Sequence, residues 1–99
     1  MRITINHLHK AFESRIRLGI MTAISVNNEL DFNGLKELLD VTDGNLATHL
    51  RMLQKEEFIR VEKTFVDNKP NTKYYITQRG KAVFKEHLKA LENIITAQK

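Results

Sequence analysis

The sequence predicts a mainly helical α+β domain with four helices and one small β-hairpin. Apolar residues recur every three or four positions in four separate stretches, which is the period of an amphipathic helix. Between the third and fourth stretches, residue types alternate as they do in a half-buried strand. The 99 residues supply one modest core and contain no internal repeat, so we expect a single domain over residues 1–99.

The first half of the chain is expected to begin with a long helix, from about residue 8 to residue 27. Gly19 in the middle of this helix indicates close packing against another helix. A short strand is expected at residues 29–32, after which Asn33 can cap a second helix. The apolar side of that second helix consists of Leu35, Leu38 and Leu39.

The third helix is expected to begin after Thr42, whose hydroxyl suits the N-cap position, and to end near Glu56. Its apolar side consists of Leu46, Leu50 and Leu53. At 100° per residue, the opposite side presents polar and small residues, with Asn45 at its edge. Those residues are Gly44, Thr48, Arg51 and Lys55. His49 lies nearer the apolar side, so we expect it to be packed or to act as a cap.

The alternating segment predicts a hairpin and is followed by the last helix. Residues 59–66 and 72–76 form its two strands, and residues 67–71, with the only proline, form its turn. Thr77 can cap the fourth helix, which runs to about residue 97. Along it, apolar residues repeat at intervals of 4, 3 and 4, as on one side of a coiled coil. They are Phe84, Leu88, Leu91 and Ile95, with Ile94 beside them.

Composition and charge favour an anionic partner. There are 16 Lys and Arg against 12 Asp and Glu, and the pI is about 9.5, so nucleic acid is the partner class expected first. The predicted hairpin region, residues 58–80, carries five basic and two acidic side chains. The chain has no cysteine, which excludes disulfides, thiolate metal sites and a cysteine nucleophile. Because neither a signal peptide nor a long apolar stretch is evident, a cytoplasmic location is expected.

The order of elements and two sequence stretches carry a family resemblance. Residues 31–53, DFNGLKELLDVTDGNLATHLRML, and residues 72–81, TKYYITQRGK, resemble MarR/ArsR-like winged helix-turn-helix regulators. The resemblance implies a small prokaryotic DNA-binding transcriptional regulator, usually a homodimer. It implies a helix-turn-helix at about residues 33–56, a wing at about 58–77 and a C-terminal dimerisation helix at about 77–97. One position departs from the pattern: Glu57 stands where glycine is usual, so it either adopts a left-handed conformation or ends the helix differently.

The resemblance makes the third helix the recognition helix, which enters the major groove of DNA. Asn45 and Thr48 can bond base edges, and Arg51 can bind guanine or a phosphate. The start of the helix, with Thr42 and Gly44, suits a phosphate. The expected DNA-binding residues of this helix are Thr42, Gly44, Asn45, Thr48, Arg51 and Lys55. The alternative is an ordinary amphipathic helix whose polar side is merely solvated.

The wing and the last helix have expected roles of their own. In the wing, Lys63, Lys69 and Lys73 can meet phosphates, and Asn71, expected at the tip, can enter the minor groove. The stripe of Phe84, Leu88, Leu91, Ile94 and Ile95 is expected to form a homodimer interface, which Leu8 and Phe12 could join. The alternative is that this stripe packs on its own domain.

Other function classes find less support in the sequence. The four glycines are scattered and the serines lack a nucleophile motif, so no enzyme activity and no cofactor are expected. His7 and His9 are expected to be a surface pair and not a metal site, with His87 far along the chain. The main alternative is a winged-helix module that binds protein without binding DNA, although the basic hairpin disfavours it. An effector ligand, if one exists, is expected at the dimer interface or between the helices.

Overall fold

In the computed structural model, residues 5–98 form four α-helices, one 3-10 turn and a three-stranded antiparallel sheet. The helices are α1 (Arg15–Asn27), α2 (Phe32–Leu39), α3 (Asp43–Lys55) and α4 (Gln78–Ala97). The strands are β1 (Glu29–Asp31), β2 (Ile59–Val66) and β3 (Lys69–Ile76), and the sheet order is β1-β3-β2. The α+β class and the order of elements are confirmed. Among these residues no helix is both long and apolar enough to cross a membrane.

The N-caps of α3 and α4 are the predicted residues. The Thr42 hydroxyl accepts a hydrogen bond from the Asn45 amide at 3.2 Å, and the Thr77 hydroxyl accepts one from the Gly80 amide at 2.9 Å. The predicted cap of α2, Asn33, is wrong. The Asp31 carboxylate accepts from the Gly34 amide at 2.7 Å, because the last residue of β1 has the extended backbone that a cap requires.

The first helix is shorter than its apolar period indicates. Residues 10–12 form a separate 3-10 turn, and α1 begins only at Arg15, where the Ser14 hydroxyl accepts from the Arg17 amide. Phe12 continues the apolar period although it lies outside the helix, because the 3-10 turn also directs its ring into the core. The predicted start at residue 8 is therefore wrong.

The hairpin is tighter than predicted. Its turn is formed by Asp67 and Asn68 alone, with φ of 53° and 64°, as in the two-residue turns that match the twist of paired strands. Asp and Asn tolerate this left-handed conformation better than other residues with a side chain. Pro70 lies in β3 opposite Phe65, and β1 pairs only with residues 73–75, so β3 has a free edge where a missing N–H is tolerated.

The core joins α1, α2 and α3 to the base of the hairpin and the first half of α4. Its most buried members include Ile20, Met21, Ile24, Leu35, Leu46, Leu50, Leu53, Phe58 and Phe84. Gly19 lies against Leu39, as the predicted close packing of helices requires. A Cβ at Gly80 would lie 2.0 Å from the Phe58 carbonyl oxygen, so only glycine lets α4 start this close to the end of α3.

The junction between α3 and β2 accommodates the unusual residue Glu57. Its φ is 61°, so it adopts the left-handed conformation without being glycine. Two side chains from the start of α4 bind the backbone here: the Thr77 hydroxyl donates to the Glu57 carbonyl at 2.7 Å, and Arg79 Nε donates to the Glu56 carbonyl at 3.2 Å. These bonds satisfy carbonyls that the end of a helix leaves unpaired.

The histidines near the N-terminus are tied to α4. The His9 amide donates to Nδ1 of His87 at 2.9 Å, and Nδ1 of His7 lies 2.6 Å from the Glu86 carboxylate. His9 also packs edge-on against Phe58, so the prediction of a surface pair is wrong for His9. Burial, and then the neighbouring His9, lower the pKa of His87. No group of three potential metal ligands lies together within residues 5–98.

Candidate nucleic-acid interface

Helix α3 has one buried side and one solvated side, as its sequence predicts. Leu46, Leu50 and Leu53 are at most 1% exposed and attach the helix to the core. The opposite side is exposed along its whole length and consists of Gly44, Asn45, Thr48, Arg51 and Lys55. These five predicted residues are thus brought together on one face. None of them makes a side-chain hydrogen bond or ion pair within the described part of the chain, so their polar groups can accept a ligand.

The start of α3 is open enough for a backbone phosphate to approach. A Cβ at Gly44 would meet no atom within 4 Å, and Thr42 is exposed beside it. The acidic side chain in this turn, Asp43, forms an ion pair with Lys36 at 2.7 Å, which offsets its charge. The first-turn amides and the helix dipole therefore present a positive end to solvent.

Arg15 joins this surface, although the sequence did not indicate it. It lines a cavity of about 430 Å³ with Thr42 and Asn45 and with residues of α1 and the α2–α3 turn. Ser14 could have indicated this position, because serine is a common N-cap. With Ser14 as the cap, Arg15 is the first residue of α1 and lies beside the turn between α2 and α3. The prediction of one continuous helix over residues 8–27 placed Arg15 inside the helix and not at its start.

Arg17 of α1 contacts two residues in the middle of α3, His49 and Met52. Nη1 of Arg17 donates to Nδ1 of His49 at 3.0 Å and lies 3.3 Å from the sulfur of Met52, while Nε donates to the Ala11 carbonyl. Burial, and then the charge of Arg17, lower the pKa of His49, so the neutral imidazole that accepts this bond is favoured. His49 is half-buried, in agreement with the packed role expected for it.

In the wing, the predicted lysines lie in different surroundings. Lys63 and Lys69 are exposed near the tip, which we define as Asp67 and Asn68. Lys73 is in the part of β3 that pairs with β1, and its ammonium lies 3.3 Å from the Glu29 carboxylate. A hydrogen bond and the charge of Glu29 raise the pKa of Lys73. The ammonium of Lys73 is therefore paired within the sheet, and its predicted phosphate contact stays a prediction.

The predicted position of Asn71 at the tip of the hairpin is wrong. It lies inside β3 opposite Thr64, whose hydroxyl donates to the Asn71 carbonyl at 3.4 Å. Because two residues are enough to reverse the chain, residues 69–71 already pair with β2. Asn71 therefore lies within the strand and not at the tip.

The stripe on α4 divides into a buried part and an exposed part. Phe84 is 3% exposed and its ring packs edge-on against Phe12 at 5.2 Å, so both belong to the core of their own protomer and not to an interface. The last buried residue of α4 is Ala90. Leu88, shortly before Ala90, is 43% exposed. After Ala90, Leu91 and Ile94 are half-buried and Ile95 is 62% exposed.

A family comparison agrees with this geometry. A family model described as a winged helix DNA-binding domain matches residues 16–95, from the start of α1 to near the end of α4. The chain belongs to this winged-helix DNA-binding family. In winged-helix terms, α2 and α3 are the helix-turn-helix, α3 is the recognition helix and the β2–β3 hairpin is the wing.

Individual relatives extend the likeness. The uncharacterized protein MJ0432 of Methanocaldococcus jannaschii is 34% identical over 79 residues, which are 80% of this chain and 86% of that protein. A transcriptional regulator homologue from Pyrococcus horikoshii OT3 superposes with a TM-score of 0.80 at 29% identity, over 96% of this chain and 99% of its own. A MarR-family regulator from Silicibacter pomeroyi has a TM-score of 0.69 at 22% identity, over 84% of this chain and 55% of its own. The winged helix-turn-helix fold implied by the resemblance is thereby confirmed, and the MarR-family protein shares that fold.

Proposed function

We propose that this winged-helix domain is a sequence-specific transcriptional regulator that binds double-stranded DNA as a homodimer. The observation that carries the proposal is the exposed face of α3. It groups Asn45, Thr48 and Arg51, whose side chains have no hydrogen-bond or ion-pair partner among the described residues, on a helix whose other side is buried in the core. Side chains of these types hydrogen-bond base edges in the major groove.

Phosphate contacts would surround this base-reading face. Thr42, Gly44 and the amides at the start of α3 suit one phosphate, with Arg15 beside them. Lys55 lies at the other end of the helix, and Lys63 and Lys69 extend the positive surface along the wing. Such contacts position the protein and supply affinity, while base contacts supply discrimination.

The homodimer is supported by the exposed apolar part of α4. Leu88, Leu91, Ile94 and Ile95 are wholly or partly accessible, and Ala90 is the last buried residue of α4 within residues 5–98. A second copy related by two-fold symmetry would bury the same stripe on each chain. Two recognition helices would then enter successive major grooves about 34–36 Å apart, so the preferred site would be an inverted repeat with half-sites about 10 base pairs apart.

A small-molecule effector has a candidate site behind α3. An open cavity of about 390 Å³ lies between the N-terminal segment and the C-terminal half of the recognition helix. Three basic residues, Lys10, Arg17 and Lys55, line it with the acidic Glu56 and the apolar Met52 and Leu53, so positive charge is in excess. An anionic ligand with an apolar body fits this lining, and by binding Arg17 it would compete with the contact that Arg17 makes to His49.

Selection of duplexes from a random library tests the proposed function directly, because it reports binding, symmetry and half-site spacing together. The selected site is then assayed with wild type and with Asn45→Ala, Thr48→Ala and Arg51→Ala, against all single-base changes in one half-site. Loss of a bidentate contact costs about 1–3 kcal/mol of discrimination, so preference should flatten at one position for a base-reading residue. If no substitution alters the ranking of sequences, α3 does not read DNA, and the protein-binding module becomes the better proposal.

A further inference from the structure

Three of the four histidines accept a hydrogen bond at Nδ1 from a group that keeps its proton. The His9 amide donates to Nδ1 of His87 at 2.9 Å, and the Ala11 amide donates to Nδ1 of His9 at 3.1 Å. The third acceptor is Nδ1 of His49, which lies 3.0 Å from Nη1 of Arg17. Because a backbone amide and a guanidinium act only as donors, Nδ1 is unprotonated in all three rings and each ring is neutral.

These bonds form one connection between α4 and α3. At one end, His87 of α4 binds the amide of His9. Two residues further along, the Ala11 carbonyl accepts a hydrogen bond from Nε of Arg17. At the other end, the same guanidinium donates to His49 of α3. We call residues 7–11 the N-terminal strap, because they join the proposed dimerisation helix to the recognition helix.

The strap is attached more weakly than the residues that follow it. None of residues 7–11 is fully buried, whereas the next residue, Phe12, is 2% exposed and packs against Phe58 and Phe84. A segment with few buried side chains opens at a small cost in free energy, so the strap can detach as far as Phe12 while the core stays intact. Detachment removes the partner of His87, which is 3% exposed, and opens that ring to solvent.

The surroundings of His49 and His87 oppose a positive charge while the strap is attached. Burial, and then the charge of Arg17, lower the pKa of His49. Burial, and then His9, lower the pKa of His87, while the carboxylate of Glu13 acts in the opposite direction. A proton therefore binds these two rings more readily when the strap is detached. The charged groups that share a cavity with His9 are Lys10, Arg17, Lys55 and Glu56.

The fourth histidine, His7, acts in the opposite sense. Its Nδ1 lies 2.6 Å from the Glu86 carboxylate, so its protonation strengthens an ion pair that holds the strap to α4. Both side chains are exposed, and solvent screens such a pair to a small net contribution. His7 thus opposes detachment only weakly.

We infer that the strap responds to pH: protonation of His49 and His87 detaches it in mildly acidic solution and weakens the discrimination between DNA sequences. A protonated Nδ1 cannot accept from an amide or a guanidinium, and a charged His49 repels Arg17. Arg17 is a positioning residue, because it contacts His49 and Met52 in the middle of α3. Detachment of the strap follows from these contacts alone, and only its effect on DNA binding rests on the proposed function.

The size of the response follows from proton linkage. Since the attached state has the lowered pKa, attachment is favoured above the ordinary value of 6.5 and is lost as the pH falls below it. Between about pH 7.5 and about pH 5.5, one such histidine raises the ratio of detached to attached molecules by up to about 10-fold. Two independent histidines raise it by up to about 100-fold.

NMR titration of the full chain without DNA tests detachment. At the higher pH, the imidazole nitrogen shifts should show Nδ1 unprotonated in His9, His49 and His87. As the pH falls to about 5.5, the amide signals of His9 and Ala11 should move toward those of an unstructured chain, while the amide signal of the buried Leu35 should not. Amide signals that keep their positions, or an Nδ1 that is protonated at the higher pH, would overturn the inference.

Asparagine variants identify the groups that titrate. The amide oxygen of asparagine can accept in place of Nδ1 but is not protonated in this pH range. His49→Asn and His87→Asn should therefore each remove part of the pH response, and the double variant nearly all of it. His7→Asn is the matched control, because it changes a histidine of the same strap without removing one of the three acceptors, and it should keep the response. An equal response in all the variants would exclude His49 and His87 as its source.

Affinity for the selected duplex and for random duplex is then measured at both pH values and one ionic strength. The ratio of the two affinities cancels the attraction to phosphate that added positive charge gives to any duplex. We expect this ratio to fall for wild type by up to about 10-fold per histidine and to stay constant for the double variant. Detachment without a change in the ratio would overturn the link to α3. Failure to bind any duplex would refute the proposed function, while the NMR titration would still decide whether the strap detaches.

Discussion

The three wing lysines allow a prediction with an internal control, because the structure gives them different surroundings. Lys63 and Lys69 are exposed near the tip, whereas the ammonium of Lys73 lies 3.3 Å from the Glu29 carboxylate. Each changed to alanine removes the same charge from the same hairpin. We expect Lys69→Ala and Lys63→Ala to weaken DNA binding in a salt-dependent way and Lys73→Ala to leave the salt dependence unchanged.

The magnitude follows from counterion release. Each phosphate contact contributes about 0.9 to the slope of log K against log salt, and a homodimer makes each contact twice, so the slope should fall in magnitude by about 1.8. Between 50 and 200 mM salt, wild type should therefore lose about 12-fold more affinity than Lys69→Ala does. The loss should be the same for the selected site and for random duplex, because phosphate contacts carry no sequence information.

Fluorescence anisotropy of a labelled duplex at four or more salt concentrations measures these slopes, with circular dichroism to verify that each variant is folded. If all three variants lower the slope equally, the effect is one of net charge and the wing makes no local contact. If none does, the wing tip does not touch DNA. Either result would refute the assignment of Lys63 and Lys69.

Three further predictions concern assembly and stability. Leu91→Asp places a charge in the proposed dimer interface and should sediment as a monomer, whereas Leu38→Asp, at a 60% exposed residue of α2, should remain a dimer. Burial lowers the pKa of His87 below its ordinary value of 6.5, so the unfolded chain binds a proton that the folded chain does not. The free energy of unfolding from urea titrations should therefore fall as pH drops below about 6.5, and His87→Asn should reduce that dependence; an equal dependence in the variant would exclude His87 as its source. Gly80→Ala should destabilise the fold by about 1–3 kcal/mol, because its Cβ would lie 2.0 Å from a carbonyl oxygen. Gly44→Ala, whose Cβ would have no atom within 4 Å, should be neutral or stabilising. Equal melting temperatures of the two variants would contradict this prediction.

The parts of the fold that follow from local sequence were predictable. Thr42 and Thr77 cap their helices because a hydroxyl can bond the amide three residues on, and that requirement involves only neighbouring residues. The leucines of α3 likewise mark its buried side through the period of the helix alone. The exposed face opposite them, with Asn45, Thr48 and Arg51, was obtained by the same argument.

The features that sequence analysis missed are contacts that join distant parts of the chain. Lys73 is paired with Glu29, 44 residues away, and His87 is bonded to the His9 amide, 78 residues away. No local period reveals such pairings. Phe84 is a further example of a contact that the local period does not reveal. It continues the apolar repeat of α4, but the ring of Phe12 packs against it and Phe84 is buried.

The junction at residues 56–58 connects α3, which is proposed to bind DNA, with α4, which is proposed to form the dimer. The left-handed Glu57 ends α3, Thr77 and Arg79 bind the carbonyls there, and Gly80 lets the first turn of α4 approach the Phe58 backbone. The recognition helix and the proposed dimerisation helix thus meet through several short contacts and no flexible linker. In a two-fold dimer the angle between these helices determines how far apart the two α3 helices lie. Half-site spacing would therefore depend on this junction, although none of its residues needs to touch a base.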